Sequence, residues 1–310
     1  MKTNISLLIL CLLLGACKNG NASSQSKSET PQDTIKAIKM PAIPQMMTAP
    51  EQRADFLAKH YWDNVNFADT NYIHHPEVTE QAWADYCDLL NHVPLETAQQ
   101  AMRNVIDRTN VDKKVFTYIT DLADKYLYDP NSPMRNEEFY IPVLEAMIAS
   151  PVLNETEKIR PQARLKLAQK NRIGTKALNF TYTLASGAQG SLYQLKAEYL
   201  LLFINNPGCQ ACTETIEGLK NAPIINQLLQ EKKLVLLSIY PDEELDEWKK
   251  HLSEFPNEWI NGYDKKFTIK EEQVYDLKAI PTLYLLDKDK TVLLKDATAP
   301  AIEAYLMQHQ

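Results

Sequence analysis

Cys209 and Cys212 stand two residues apart in "NNPGCQACTE" (205–214), after an apolar run and before a polar segment of helical character. Such a pair can hold zinc, close a small disulfide loop, or exchange disulfides with other thiols. Zinc asks for about four ligands. No second cysteine pair accompanies these two, and the next histidine downstream is His251, on a segment that reads as a solvent-facing helix. As a staple the pair is poor, because so short a loop removes little entropy from the unfolded chain. The exchange reading accounts for the position. A cysteine at the start of a helix faces unpaired backbone N–H groups and the positive end of the helix dipole, which favour a thiolate. A thiolate of that kind is both attacker and leaving group in disulfide exchange. The reading assigns Cys209 as the exposed nucleophile and Cys212, one turn inward, as the resolving thiol.

The elements that must position the pair can be read on either side. "YLLLFI" (199–204) is a short continuous apolar run, as expected for a strand buried on both faces. "CTETIEGLKNAPIINQLLQEKK" reads as helix with a break near Pro223, and "LVLLSIY" as a second buried strand. "PDEELDEWKKHLSEF" reads as a helix with an acidic start, "IPTLYLLDKDKTVLLKD" as strand, charged turn and strand, and "APAIEAYLMQH" as a closing helix. Before them "ALNFTYTL" alternates and meets the turn "ASGAQGS". Strands alternating with helices, then a hairpin and a helix, predict an α/β domain with a mixed sheet over 173–310.

Residues 49–172 carry a different pattern. Trp83, Tyr86, Cys87 and Leu90 share one face at helical spacing, and so do Val115, Tyr118, Ile119, Leu122 and Tyr126. Prolines 94, 130, 133, 142 and 151 fall near plausible helix ends, and "NETEKIRPQARLKLAQKNRIG" predicts a helix stopped at Gly174. No β-rich run or fixed-period repeat interrupts them. This segment is expected to be an all-α domain of five or six helices, with Tyr61, Trp62, Tyr72, Trp83 and Tyr86 in its core and Cys87 a buried, inert thiol. His74-His75 carries no metal expectation, because neighbouring histidines point apart and Pro76 marks a turn.

The chain's 310 residues suit two domains of about 100–150 residues each. With 45% apolar and 24% charged residues it has ordinary globular composition, and a formal charge of −7 offers no basic field for nucleic acid. At the N-terminus Lys2 precedes an apolar run, Ile5–Leu14, too short to span a bilayer permanently but of the size of a signal-peptide core. Leu14-Gly15-Ala16-Cys17 resembles a bacterial lipobox, in which cleavage leaves a lipid-bearing cysteine. The expectation is a signal peptide over 1–16, lipidation at Cys17, and a flexible Ser/Asn/Gln/Lys/Pro tether over 17–48. Lys18, in place of aspartate, permits sorting to the outer membrane, and the absence of an acidic cluster after Cys17 favours the periplasmic face. Of five cysteines, Cys11 leaves with the signal and Cys17 is lipidated. Cys87, Cys209 and Cys212 remain, which is one redox pair and a bystander rather than a disulfide scaffold.

Residues 174–310 resemble the thioredoxin-fold superfamily, and most of all its membrane-associated thiol–disulfide oxidoreductases of the bacterial envelope. "YLLLFINNPGCQACTE", Ile280-Pro281-Thr282 within "YDLKAIPTLYLLDKDKTVLLKD", and the preceding "GTKALNFTYTLASGAQGSLYQL" carry the resemblance. The whole chain resembles lipoproteins with a helical domain of unknown function ahead of a thioredoxin-like domain. The resemblance implies that Pro281 is cis, that the backbone at Ile280 pairs with an extended client peptide, and that metal is kept off the thiols. It implies no cofactor beyond a redox-active Cys209–Cys212 disulfide. Its partners would be client proteins bearing thiols or disulfides and a membrane thiol electron carrier, with the bilayer reached through Cys17. The direction it implies is reduction or isomerisation of client disulfides.

The sequence departs from that pattern in places. Pro207-Gly208 stands where a tryptophan often precedes the first cysteine, the dipeptide between the cysteines is Gln210-Ala211, and no acid occupies the usual place of a buried proton acceptor. Glu214 and Glu217 read as a solvated helix start. Asn206 replaces the threonine of a peroxidase of the superfamily, and the two-residue spacer excludes a copper-delivering relative. The rival reading is a lipid-anchored binding module that uses the thioredoxin fold as a scaffold.

Overall fold

The computed structural model describes residues 37–309, which fall in one compact unit. Six α-helices come first: α1 (Pro50–His60), α2 (Pro76–Leu90), α3 (Leu95–Arg108), α4 (Lys113–Ala123), α5 (Glu137–Ala149) and α6 (Glu155–Ala168). The last three start at side chains that accept otherwise unpaired N–H groups. Asp112 caps α4, Asn136 caps α5, and Asn154 with Glu157 forms a reciprocal capping box on α6. The apolar stripes meet in a core of their own that includes Trp62, Trp83, Tyr86, Leu90, Ile106, Phe116, Ile119 and Leu144. Trp83, Tyr86, Cys87 and Leu90 are all buried, as their spacing predicts.

Three details differ from the sequence reading. Pro142 lies inside α5 rather than at an end. Having no N–H, it leaves the Glu138 carbonyl without its helical partner, and Gln99 Nε2 of α3 donates to that oxygen at 3.0 Å. Helix α6 stops at Ala168, before Gly174. Asn171 takes the left-handed conformation, with φ 50°, while Gly174 begins a stretch paired to the sheet edge, its N–H donating to Val292 O at 2.8 Å. The end of the expected tether is docked: Ile38 packs on the helical core and Asn64 Nδ2 donates to Lys39 O at 2.9 Å. Residues 1–36 with Cys17 lie outside the described part.

The second half contains β1 (Thr181–Leu184), β2 (Gln189–Ser191), β3 (Tyr199–Ile204), α7 (Gln210–Lys220), α8 (Pro223–Gln230), β4 (Leu234–Tyr240), α9 (Leu245–Lys250), β5 (Ile260–Tyr263), α10 (Thr268–Glu271), β6 (Thr282–Asp287), β7 (Val292–Lys295) and α11 (Ala299–Gln308). The strands form one mixed sheet in the order β2-β1-β5-β4-β3-β6-β7. β3, β4 and β5 run parallel, whereas β6 is antiparallel to β3, and β1 to β5. Successive side chains of β3 face opposite sides. Leu201 and Phe203 join Leu219, Ile225 and Ile302 on the side of α7, α8 and α11, while Leu200, Leu202 and Ile204 join Phe180, Tyr275 and Tyr284 on the other. This two-faced burial explains why "YLLLFI" is apolar throughout.

Candidate active site

β3 delivers the chain to the cysteines through a pinned loop. The N–H of Asn205 extends the β3–β4 ladder by donating to Ile239 O at 3.0 Å. Its buried amide donates to Ser238 Oγ at 2.8 Å and to Phe203 O at 3.3 Å. Asn206 Nδ2 donates to Asp242 Oδ2 at 2.9 Å, and Lys270 pairs with the other oxygen of that carboxylate at 2.6 Å. Gly208 then turns with φ 71°, a conformation that costs residues with a Cβ more than glycine.

Cys209 is the N-cap of α7. Its Sγ accepts the N–H of Cys212 at 3.4 Å and its carbonyl accepts from Thr213 N at 3.0 Å, so the sulfur takes the place that a serine or aspartate oxygen holds in other caps. The N–H thus points at the sulfur from the start of the helix. On its other side Sγ lies 3.8 Å from Ile280 O, to which the thiol can donate. The Ile280–Pro281 bond is cis. Cys209 is partly exposed, whereas Cys212 is 2% exposed, and both are free thiols here. Burial pushes the Cys212 thiol up to about 12, reinforced by its contact with Cys209 and only partly offset by a hydrogen bond with the Asn206 backbone. A cleft of about 380 Å³ opens beside the loop, lined by Asn206, Pro207, Tyr240, Asp242, Glu244 and Lys270 among others.

The structure therefore brings Cys209, Cys212, Ile280 and Pro281 together. Thr282 sits with them in sequence but points inward: it is 5% exposed and its Oγ1 donates to Asp296 Oδ1 at 2.6 Å. Glu214 and Glu217 are exposed and engaged by Gln210 and Lys220. Cys87 is in the helical core, its thiol pushed up to about 12 by burial. His251 caps its own helix region with Glu247 and Glu254. Among the described residues no three or more His, Cys, Asp or Glu are placed to hold a metal, and no helix is long and apolar enough to cross a membrane.

Sequence reasoning missed the charges behind the proline loop. The Asp296 side chain, 10% exposed, lies next to Thr282, and Lys278 pairs with it at 2.9 Å. Burial would raise the Asp296 carboxyl, but Lys278, the Thr282 hydroxyl and Arg135 outweigh that and hold it below its ordinary value. The signal available was charge in apolar company: Asp276 and Lys278 just before Pro281, and Lys295-Asp296 ending an apolar strand.

The chain is similar to several known proteins and family models. Residues 16–171 match the model of a domain of unknown function (DUF5106), and residues 197–292 match a thioredoxin-like model. A thioredoxin-like protein from Bacteroides caccae is 84% identical, with 89% of this chain and 100% of that one aligned at a TM-score of 0.87. The C-terminal domain of an uncharacterised protein from Bacteroides fragilis is 69% identical over 44% of this chain and 98% of its own, with a TM-score of 0.44. The thioredoxin domain of a thiol-disulfide oxidoreductase from Bacteroides vulgatus aligns at 20% identity over 44% of this chain and 97% of its own, with a TM-score of 0.40. No curated protein matches the chain.

Proposed function

Since the chain belongs to the family of that domain of unknown function, joined here to a thioredoxin-like domain, we propose that it is a thiol–disulfide oxidoreductase of the cell envelope. Cys209 is the nucleophile and Cys212 the resolving thiol. The observation that carries this reading is the contrast between them: a partly exposed sulfur capping α7 beside a buried thiol three residues on.

The exchange balances in two steps. The Cys209 thiolate attacks one sulfur of a client disulfide, forming a Cys209–client bond and releasing the other client sulfur as a thiolate that takes up a proton. Cys212 then gives up its proton and attacks the Cys209 sulfur, which closes the Cys209–Cys212 disulfide and releases the second client thiol. The client gains two electrons and the protein loses two. A membrane thiol carrier would return them. If Cys212 does not attack, the mixed disulfide can pass to another client thiol, which is isomerisation. The backbone around Ile280 and Pro281 is where an extended client segment would lie. Lipid on Cys17, for which the Leu14-Gly15-Ala16-Cys17 segment speaks, would anchor the molecule; Lys18 permits the outer membrane, and the lack of an acidic cluster after Cys17 favours its periplasmic face.

Insulin reduction in the presence of dithiothreitol tests the activity. The wild type should accelerate precipitation at least tenfold over Cys209→Ser. Equal rates would turn the reading toward a binding module built on the same fold. Radiolabelled palmitate should enter the wild type and not Cys17→Ala.

A further inference from the structure

Behind the proline loop, charges from both halves of the chain are buried together. The Lys278 side chain is 8% exposed, and its Nζ lies 2.8 Å from Glu137 Oε1, 2.9 Å from Asp296 Oδ2 and 3.2 Å from Asp276 Oδ2. The Lys295 side chain, 6% exposed, reaches Glu137 Oε2 at 2.6 Å. Arg135 donates to the Asp296 carbonyl. Glu137 and Arg135 belong to the start of α5 and the loop before it, in the helical half. The others belong to the thioredoxin-like half. Desolvating this many charges is costly, and their mutual attraction offsets that only where geometry is tightly held.

The cluster grips both ends of one short segment. Lys278 is held at its start by Glu137. At its end Thr282 donates to Asp296 at 2.6 Å. Asp296 adopts φ 50°, left-handed for a residue with a side chain, and is fastened there through both its carbonyl and its carboxylate. Between the two grips lies Ile280, whose carbonyl faces Cys209 Sγ.

We propose that Glu137 is a positioning residue for the redox site: with Lys278 and Asp296 it fixes the 278–282 loop against Cys209, so the helical domain completes the site. The inference rests on the redox reading of Cys209 and Cys212. A loosened loop changes the surroundings of the reduced pair, where the thiol meets Ile280 O, more than those of the disulfide. It therefore shifts the redox equilibrium of the pair.

The test uses the full chain with Glu137→Gln, Thr282→Val and Glu138→Gln. Glu138 forms a neighbouring ion pair with Arg172 and does not touch the loop. Two quantities are read: the equilibrium constant of the pair against glutathione, and backbone hydrogen exchange over 279–283. Glu137→Gln should change both at least threefold and Glu138→Gln neither. Thr282→Val, which removes one hydroxyl and no charge, should act like Glu137→Gln and gives the answer if the latter does not fold. Unchanged values in Glu137→Gln and Thr282→Val, or an equal change in Glu138→Gln, would overturn the proposal. If the wild type fails to reduce insulin while Glu137→Gln still shifts both readouts, the positioning role stands and client reduction falls. If the wild type reduces insulin and the variants shift nothing, only the positioning role falls.

Discussion

Cys209 and Cys212 are one helical turn apart and meet different surroundings. The first caps a helix at the surface, and the second is packed under it with its thiol pushed up to about 12. A raised thiol has a consequence for stability that can be worked out in sign. The folded, reduced protein keeps the Cys212 proton where the unfolded chain, near 9, has lost it. The stabilisation is complete below about pH 9 and disappears as pH rises toward 12. Each pH unit in that window costs up to about 1.4 kcal/mol per thiol. Cys87, also pushed up to about 12, adds a second such loss. Urea denaturation of the reduced protein should therefore show stability falling from about pH 9, and a smaller fall once the 209–212 disulfide is closed. An identical slope in the two redox forms would contradict the burial assigned to Cys212.

At the scale of elements, periodicity revealed most of the frame. The buried strands, the break at Pro223, the terminal hairpin and the helical stripe around Trp83 follow from spacing alone, because each reports a local environment. Features that depend on distant partners did not show. Nothing near Pro142 announces that Gln99, on another helix, will satisfy the Glu138 carbonyl, and nothing near Gly174 announces that it pairs with Val292. Strand β5 offers a test of the hairpin that widens the sheet. A Cβ at Gly262 would stand 2.9 Å from the Tyr182 ring and 3.3 Å from the Thr183 carbonyl of β1. Gly262→Ala should cost about 1–3 kcal/mol by overpacking and raise hydrogen exchange in β1 before it does so in β3. Wild-type stability would contradict the β1–β5 pairing.

Across the whole molecule, the two halves keep separate apolar cores and meet through polar contacts. Lys170 Nζ donates to Gln273 O at 2.6 Å, Asn171 Nδ2 to Val274 O at 2.7 Å, and Lys278 bridges to Glu137. The cysteine pair and the proline were readable in sequence because they form short motifs. The pairing of Glu137 with Lys278 was not, because 141 positions separate them and nothing local to either names its partner. Removing the shared cation should be severe. Lys278→Met strands buried carboxylates, and such losses cost about 3–5 kcal/mol. Calorimetry should show a marked fall in Tm, and an unchanged Tm would mean that the cluster is hydrated.

In the function proposed above, Cys209 captures client sulfur and Cys212 releases it. Cys212→Ser, expressed in an envelope-bearing cell and quenched with acid, tests it directly by non-reducing gels and peptide mapping. Mixed disulfides should accumulate through Cys209 and vanish when Cys209→Ser is added. An absence of adducts, or adducts persisting through Cys87 in the double variant, would contradict it.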